Sequence, residues 1–165
     1  MGDRVTALAM RCDMKTIEER LRVLEDIEEI RKLKARYAAA CDDNYNADDI
    51  AALFAEDAVW DGGALGKADG RAAIHKFFSR AAEFFPFAIH NVMNPIIDVD
   101  GDSATAQWYL LQPATMAKGN QAVWLAAVYH DEYVRLDGRW MFKRLKVTSH
   151  FLTPYEEGWA KKPFV

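Results

Sequence analysis

The chain of 165 residues has no apolar run long enough to cross a membrane, which takes roughly 18 residues. Its opening, M-G-D-R-V-T-A-L-A-M, is too short an apolar stretch for a secretory signal. Only two cysteines occur, Cys12 and Cys41, and their spacing fits neither a metal site nor a redox motif. We therefore predict a cytoplasmic protein, without a membrane partner, in which both thiols stay reduced.

Motifs that would indicate a cofactor or a nucleic acid are also missing. The net charge is −4 and the basic residues form no stripe, so nucleic acid is not an expected partner. The G-G-A-L-G segment at 62–66 does not open a helix with the spacing of a phosphate loop. No G-x-S-x-G occurs, and no set of histidines and carboxylates has metal-ligand spacing. The sequence thus predicts no cofactor and no metal.

What the sequence does contain begins with a long helix. Over 16–41 apolar residues recur at spacings of three and four, and Thr16 with Glu19 makes a capping box at the start. We expect this apolar stripe to face the core. Its members are Ile17, Leu21, Leu24, Ile27, Ile30, Leu33 and Tyr37.

Two shorter helices follow within a single predicted domain. The turn formers D-D-N-Y-N at 42–46 end the long helix, and A-D-D-I-A-A-L-F reads as a short helix after them. A third helix is predicted over 71–85. Residues 1–14 lack strong periodicity, so we expect a flexible N-terminal arm there and one domain over 15–165.

The second half has the pattern of β-strands joined by tight turns. Strands are predicted at 87–99, 103–115, 121–136 and 139–152. The segments D-V-D-G-D, K-G-N and L-D-G-R separate them and are hairpin signals, so the sheet should be mostly antiparallel. Helices at the start and long strands behind them indicate an α+β fold, in which a strongly curved sheet wraps over the helices as a cone.

A ligand pocket inside the cone would be lined by strand residues that share the parity of His90. The predicted lining is apolar with a few polar groups, which suits a hydrophobic aromatic or polycyclic small molecule. The opposite parity, Tyr109 and Leu111, should point outward. The predicted substrate-binding residues are Trp60, Phe85, Ala88, Trp108, Leu110, Gln112, Leu125, Ala127, Leu145, Val147 and Ser149, with Val92 and Asn94 also facing inward.

Three residues carry the candidate chemistry. His90 lies in F-A-I-H-N-V at the start of an apolar strand, and Tyr37 and Asp42 close the long helix in R-Y-A-A-A-C-D-D. An Asp that accepts from one imidazole nitrogen fixes the tautomer, so the other nitrogen can take a proton. A tyrosine hydroxyl is suited to polarise a carbonyl or protonate a leaving group. Taken singly, His90 and Asp42 also fit a core histidine bonded to backbone and a helix-terminal turn residue.

The chain resembles the SnoaL-like branch of the nuclear-transport-factor-2-like superfamily, whose fold is a cone-shaped, cystatin-like α+β barrel. The likeness runs over about 27–163. It rests on I-E-E-I-R-K-L-K-A-R-Y at 27–37, L-F-A-E-D-A-V-W at 53–60, I-H-N at 89–91 and F-L-T-P at 151–154. The resemblance implies the same cone-shaped fold here.

The expected activity follows from a likeness to two groups of enzymes in that superfamily. The stretch at 119–140 resembles hexachlorocyclohexane dehydrochlorinases, and the Y-x-x-x-x-D spacing resembles bile-acid 7α-dehydratases. Both use an Asp–His dyad, which implies Asp42 as the orienting acid and His90 as the base. The dehydrochlorinases have a lysine in place of Tyr37 and an arginine in place of Leu145. A dehydration, or a retro-aldol loss of formaldehyde from an aryl diol, therefore fits better than loss of chloride.

The resemblance thus implies a cofactor-independent lyase acting on a hydrophobic small molecule, assembled as a homo-oligomer, with a trimer favoured and a dimer as the alternative. Two other functions stay open. A ketosteroid-isomerase-like enzyme needs the same base without a leaving group. A non-catalytic ligand binder or structural subunit, such as the small subunit of a ring-hydroxylating dioxygenase, shares the fold but has no need for an Asp–His pair in a cavity.

Overall fold

The computed structural model describes residues 16–165, so the predicted arm over 1–14 lies outside the described residues. The fold begins with the 26-residue helix α1 (Ile17–Asp42). Its start carries the predicted capping box, because the Thr16 hydroxyl accepts from the Glu19 N–H and the Glu19 carboxylate accepts from the Thr16 N–H. These bonds satisfy two backbone donors that a helix terminus leaves without a partner.

The first turns of α1 do not pack against the sheet. From Ile30 onward the predicted stripe is buried, but Ile17, Leu21 and Leu24 are 77%, 53% and 63% exposed. The predicted inward position of these three residues was wrong. Their spacing is helical, but no other element among residues 16–165 covers the first turns of the helix.

Three shorter helices accompany α1. They are α2 (Ala47–Ala52), α3 (Arg71–Phe78) and α4 (Ala81–Phe84). The single helix predicted over 71–85 is divided at Ser79 and Arg80, which separate the end of α3 from the start of α4. Helix α3 packs against α2, β1 and β2.

Seven strands form one curved, unclosed sheet. Its order is β2-β1-β7-β6-β5-β3, with β4 also paired to β5. The β1–β7 pair is parallel and the other pairs are antiparallel. The predicted α+β cone with a mostly antiparallel sheet is confirmed. The strands are β1 (Phe54–Asp61), β2 (Lys67–Asp69), β3 (Phe87–Ala88), β4 (Asn91–Asp100), β5 (Ser103–Met116), β6 (Gln121–Leu136) and β7 (Arg139–Pro154).

An interruption and a bulge change the first of the predicted strands. The strand divides into β3 and β4, and His90 lies in the short break between them. Within β4 the register against β5 shifts between Met93 and Ile96, where Asn94 takes a left-handed conformation (φ 50°). Asn94 is exposed, so its predicted inward position was wrong. A bulge adds a residue to one strand and thereby reverses the parity beyond it.

The other strand residues face as their parity predicts. Tyr109 and Leu111 are exposed on the outer face. Among the predicted lining residues, Phe85 and Ser149 are half-buried. The buried ones are Trp60, Ala88, Trp108, Leu110, Gln112, Leu125, Ala127, Leu145 and Val147.

Candidate active site

The candidate site forms where the end of α1 meets the break between β3 and β4. Asp42 is the last residue of α1, and its Oδ1 accepts from the His90 backbone N–H at 2.9 Å and from the ring Nδ1 at 2.7 Å. The His90 side chain is 7% exposed and the Asp42 side chain 27%. With Nδ1 donating to the carboxylate, Nε2 presents its lone pair and can accept a proton.

Gln112 lies across the sheet from His90. Ala88 pairs with Ala114 before the break, and the register is unchanged after it, so His90 is opposite Gln112. Directly opposed residues of antiparallel strands have Cβ atoms roughly 4.5–5.5 Å apart. The buried Gln112 amide, both a donor and an acceptor, therefore lies beside the imidazole.

Several inward polar groups have no protein hydrogen-bond partner within residues 16–165. Among them are His90 Nε2, the Gln112 amide and the hydroxyls of Tyr45 and Tyr129, whereas the hydroxyls of Tyr37 and Tyr133 are bonded. In the same part of the chain, the only fully enclosed side-chain polar atom without a partner is an oxygen of Asp131. The groups without a partner are therefore not fully enclosed and keep some accessible surface.

Tyr37 lies in the aromatic core, five residues before Asp42. Its hydroxyl accepts from Trp60 Nε1 at 3.1 Å. Burial raises the pKa of Tyr37 well above its ordinary value, so the hydroxyl keeps its proton at neutral pH and can donate it. Four rings surround it edge-on, those of Phe54, Phe78, Tyr129 and Phe142.

Tyr45 is a neighbour of His90 that the sequence analysis missed, since it stands among turn formers. Its ring meets the imidazole edge-on at a centroid distance of 6.0 Å and stacks on Phe78 at 6.2 Å. The turn that ends α1 holds Tyr45 at φ 54°, an uncommon conformation for a large residue. An aromatic residue within a turn, three residues after a candidate acid, was the available signal.

A buried ion pair inside the cone was also missed. Lys34 Nζ is 2.8 Å from Asp131 Oδ2, and the two side chains are 1% and 0% exposed. Lys34 follows Ile30 by four residues and precedes Tyr37 by three, which places it on the buried stripe of α1. Asp131 shares the inward parity of Tyr129 on β6. Helical spacing and strand parity were therefore the signals that pointed to both residues.

Two open clefts, of about 640 Å³ and about 370 Å³, lie away from the candidate site. The first is lined by Ala55, Tyr133 and Lys143, among others, and the second by His130 and Arg144, among others. Neither contains His90, Asp42 or any of the predicted lining residues. Neither cleft is therefore the pocket that the sequence predicts.

A second Asp–His contact lies at the surface. His75 Nε2 of α3 is 2.9 Å from Asp48 Oδ1 of α2, and their side chains are 45% and 92% exposed. The distance resembles that of the Asp42–His90 contact, but the ring is solvated and no inward polar group faces it. This exposed pair is a natural control for the buried one.

The described part of the chain offers no group of three or more His, Cys, Asp or Glu residues that could hold a metal ion. It also has no helix that is both long and apolar enough to span a membrane. The side chains around His90 are those of acids, bases and hydrogen-bond donors. The chemistry available from this chain's own residues is thus proton transfer and hydrogen bonding.

Comparison with known proteins gives a consistent set of relatives. The SnoaL-like domain matches residues 22–146. An uncharacterized protein of Mycobacterium tuberculosis is 32% identical over 130 residues, which cover 78% of this chain and 88% of that protein. The gamma-hexachlorocyclohexane dehydrochlorinase of Sphingobium indicum is 28% identical over 107 residues, 64% of this chain and 69% of the enzyme.

Solved structures show the same likeness in three dimensions. The hexachlorocyclohexane dehydrochlorinase type 3 of Novosphingobium barchaimii superimposes with a TM-score of 0.75 and 25% identity. The match covers 82% of this chain and 93% of the enzyme. The chain therefore shares its fold with these dehydrochlorinases over most of its length.

Proposed function

The chain belongs to the SnoaL-like domain family, and from that premise we propose that it is a cofactor-independent lyase whose base is His90. The observation that carries the proposal is the double hydrogen bond from His90 to one oxygen of Asp42. It fixes the position of the ring, which is 7% exposed, and Nε2 has no protein partner within residues 16–165. A scaffold does not need an imidazole oriented in this way. The dehydrochlorinase relatives, named for an elimination, support the same class of reaction.

Dehydration of a hydrophobic hydroxy compound is the leading reaction. His90 takes a proton from the carbon next to the one that bears the hydroxyl, a double bond forms between the two carbons, and the C–O bond breaks. The leaving hydroxide takes the proton of the Tyr37 hydroxyl and departs as water, and the His90 proton then restores Tyr37 by way of solvent. A positioned base of this kind contributes roughly 10²–10⁴-fold to the rate.

An oxygen leaving group fits this interior better than chloride. Leu145, where the dehydrochlorinases carry an arginine, is fully buried and apolar. Tyr37 stands where they have a lysine, and the buried cation Lys34 is already paired with Asp131. A retro-aldol loss of formaldehyde from an aryl diol is the second elimination that fits, because the same base would take the hydroxyl proton.

A ketosteroid-isomerase-like proton transfer is the second candidate function. The bond that Tyr37 accepts from Trp60 Nε1 fixes its hydroxyl, whose own proton can donate a hydrogen bond to a substrate oxygen in a reaction without a leaving group. The non-catalytic binder is less well supported, since it gives no reason for an open Nε2 on a buried histidine. Product analysis separates the two enzymes, because only a lyase splits its substrate.

Assembly through the outer face of the sheet is part of the proposal. Met93, Tyr109 and Leu111 are exposed there, and Met93 lies directly beside Tyr109 in the β4–β5 ladder. Contiguous exposed apolar residues are typical of interaction surfaces. We propose a homotrimer packed through this face, with a dimer as the alternative, and a cytoplasmic location.

The test is a substrate panel with a matched pair of histidine variants. Apolar β-hydroxy ketones, aryl diols and γ-hexachlorocyclohexane would be followed by enone absorbance, formaldehyde release and chloride release. We expect turnover of a hydroxylated member, and His90→Gln should lower kcat/KM by roughly 10²–10⁴-fold without unfolding the protein. His75→Gln, in the exposed pair, should keep the wild-type rate. Equal activity in wild type and His90→Gln would refute the assignment of the base.

A further inference from the structure

We propose that Tyr129, with its ring on the buried Lys34 ammonium group, donates the hydrogen bond that holds a substrate oxyanion while His90 takes the proton. This makes apolar carbonyl compounds, whose deprotonation places negative charge on oxygen, the substrate class. The proposal rests on the proposed function for the role of His90. Oxyanion binding by Tyr129 is measured at equilibrium, so the two can fail separately.

The first observation is the position of the cation. Lys34 Nζ lies 3.3 Å from the centroid of the Tyr129 ring, compared with 5.2 Å from Tyr37 and 5.6 Å from Phe142. A cation on a ring face is attracted by the negative π surface. The same charge stabilises electron density that moves from the phenol oxygen into the ring. The Tyr129 O–H is therefore a stronger donor than it would be over a neutral neighbour.

The second observation is that hydrogen bonds hold the cation and its counter-ion as a charged pair. Asp131 Oδ2 accepts from Lys34 at 2.8 Å and from the Tyr133 hydroxyl at 2.9 Å, and Trp108 Nε1 donates to the Tyr133 oxygen at 3.1 Å. Burial lowers the pKa of Lys34 and raises that of Asp131, but their mutual attraction opposes both shifts. Donors on a carboxylate favour its charged form.

The third observation is that one polar atom of this network lacks a hydrogen-bond partner within residues 16–165. Asp131 Oδ1 is fully enclosed and has no partner within residues 16–165. Enclosed polar atoms without partners are rare in folded proteins, and they are retained where strain or function requires them. An apolar pair would fill the same space more readily. Polarisation of the Tyr129 ring by the Lys34 charge is a function that would account for this buried ion pair.

The fourth observation is that the Tyr129 hydroxyl has no hydrogen-bond partner within residues 16–165. Tyr37 accepts from Trp60, and Tyr133 donates to Asp131. The Tyr129 oxygen keeps accessible surface although the residue is 2% exposed. Burial raises the pKa of Tyr129 well above its ordinary value, so it enters the reaction with its proton.

Tyr129 is also within electrostatic reach of the dyad. Burial is the largest cause of its raised pKa. The charges of Cys41, Asp131, Tyr45 and Asp42 raise it further, in decreasing order. Eight residues of helix separate Lys34 from Asp42, an axial distance of about 12 Å. We place the acidic carbon of a bicyclic or tricyclic ketone at His90 and its oxygen toward Tyr129.

The test is equilibrium binding of 2-naphthol, whose absorbance reports whether the bound phenol is ionised. Wild type should bind the naphtholate in preference to the neutral form. Tyr129→Phe should weaken naphtholate binding by about tenfold or more, while the affinity for naphthalene, which has no oxygen, should change less than twofold. Tyr155→Phe, at an exposed tyrosine, should behave as wild type. The proposal would be overturned if Tyr129→Phe kept the preference for naphtholate, or if the wild type showed no such preference.

Two further variants separate this inference from the proposed function. Lys34→Met combined with Asp131→Leu removes both charges together and should reduce the naphtholate preference severalfold while thermal melting remains cooperative. A preference unchanged in that double variant would refute the role of the cation. His90→Gln should lower kcat/KM by roughly 10²–10⁴-fold but keep naphtholate binding. Loss of turnover in His90→Gln with no effect of Tyr129→Phe would leave the lyase standing and refute the oxyanion site.

Discussion

Removing the amine of Lys34 alone should destabilise the protein strongly. Lys34→Met keeps most of the aliphatic chain but leaves the Asp131 carboxylate enclosed, at 0% exposure, with Tyr133 as its one remaining donor. Its other oxygen already has no partner among the described residues. Breaking a buried ion pair by removing one partner costs about 3–5 kcal/mol, because the remaining charge cannot be solvated. We expect a loss of that size in the free energy of unfolding.

Thermal and urea denaturation at neutral pH measure this loss. For a chain of this size, 1 kcal/mol lowers Tm by roughly 2–4 °C, so Lys34→Met should melt about 6–20 °C below wild type. Two controls bracket the result. Lys32→Met breaks an exposed pair with Glu29 on the same helix and should cost less than about 1 kcal/mol. Lys34→Met with Asp131→Leu leaves no unpaired charge and should recover most of the lost stability.

Two results would refute the prediction for Lys34→Met. A cost below about 1 kcal/mol for Lys34→Met would mean that the pair is neutral or solvated in the folded protein. A double variant as unstable as the single one would show that packing at these two positions, and not the unpaired charge, determines the loss. Either outcome would also remove the electrostatic support for the Tyr129 oxyanion site.

Three further predictions concern the dyad, the buried thiol and the outer face. Asp42→Asn keeps an oxygen that can accept from His90 but removes the negative charge. In steady-state assays kcat/KM should therefore fall about 10–100-fold with little change in Tm. An unchanged rate would contradict the role of the carboxylate. Burial raises the pKa of Cys41 from 9.0 to about 12. The folded protein therefore holds the thiol proton more tightly than the unfolded chain does. The free energy of unfolding should fall as pH rises from about 9 to about 12. Urea titrations that show no such fall would contradict this prediction. Replacing both Tyr109 and Leu111 by Arg should dissociate the oligomer in sedimentation experiments without unfolding the subunit, whereas an unchanged sedimentation coefficient would exclude this face as the interface.

The fold was largely predictable because its signals are local and periodic. The capping box at Thr16 and Glu19 fixes where α1 begins, and the tight turns fix where the long strands meet. Period-two parity placed Trp108, Leu110 and Gln112 on the inner face. Predictions failed where a feature depends on the surroundings of an element, as with the exposed first turns of α1 and the bulge that turns Asn94 outward.

The candidate site was only partly predictable from sequence. Family resemblance singled out Asp42 and His90, and the structure joins them by hydrogen bonds, while their catalytic role remains a prediction. Tyr45 was missed because its importance comes from a turn that folds its ring back onto the imidazole. The charged pair of Lys34 and Asp131 was missed because charged side chains are usually solvated and an isolated pattern does not reveal a distant partner.

The sequence by itself determined the secondary structure, the order of strands joined by hairpins and the family, because these follow from neighbours along the chain. The tertiary structure alone decided which polar groups meet. It brings Asp42 to His90 across 48 residues and Lys34 to Asp131 across 97, and it leaves the Tyr129 hydroxyl without a partner within residues 16–165. Such contacts depend on how a curved sheet closes over a helix, and that curvature is a property of the whole packed molecule.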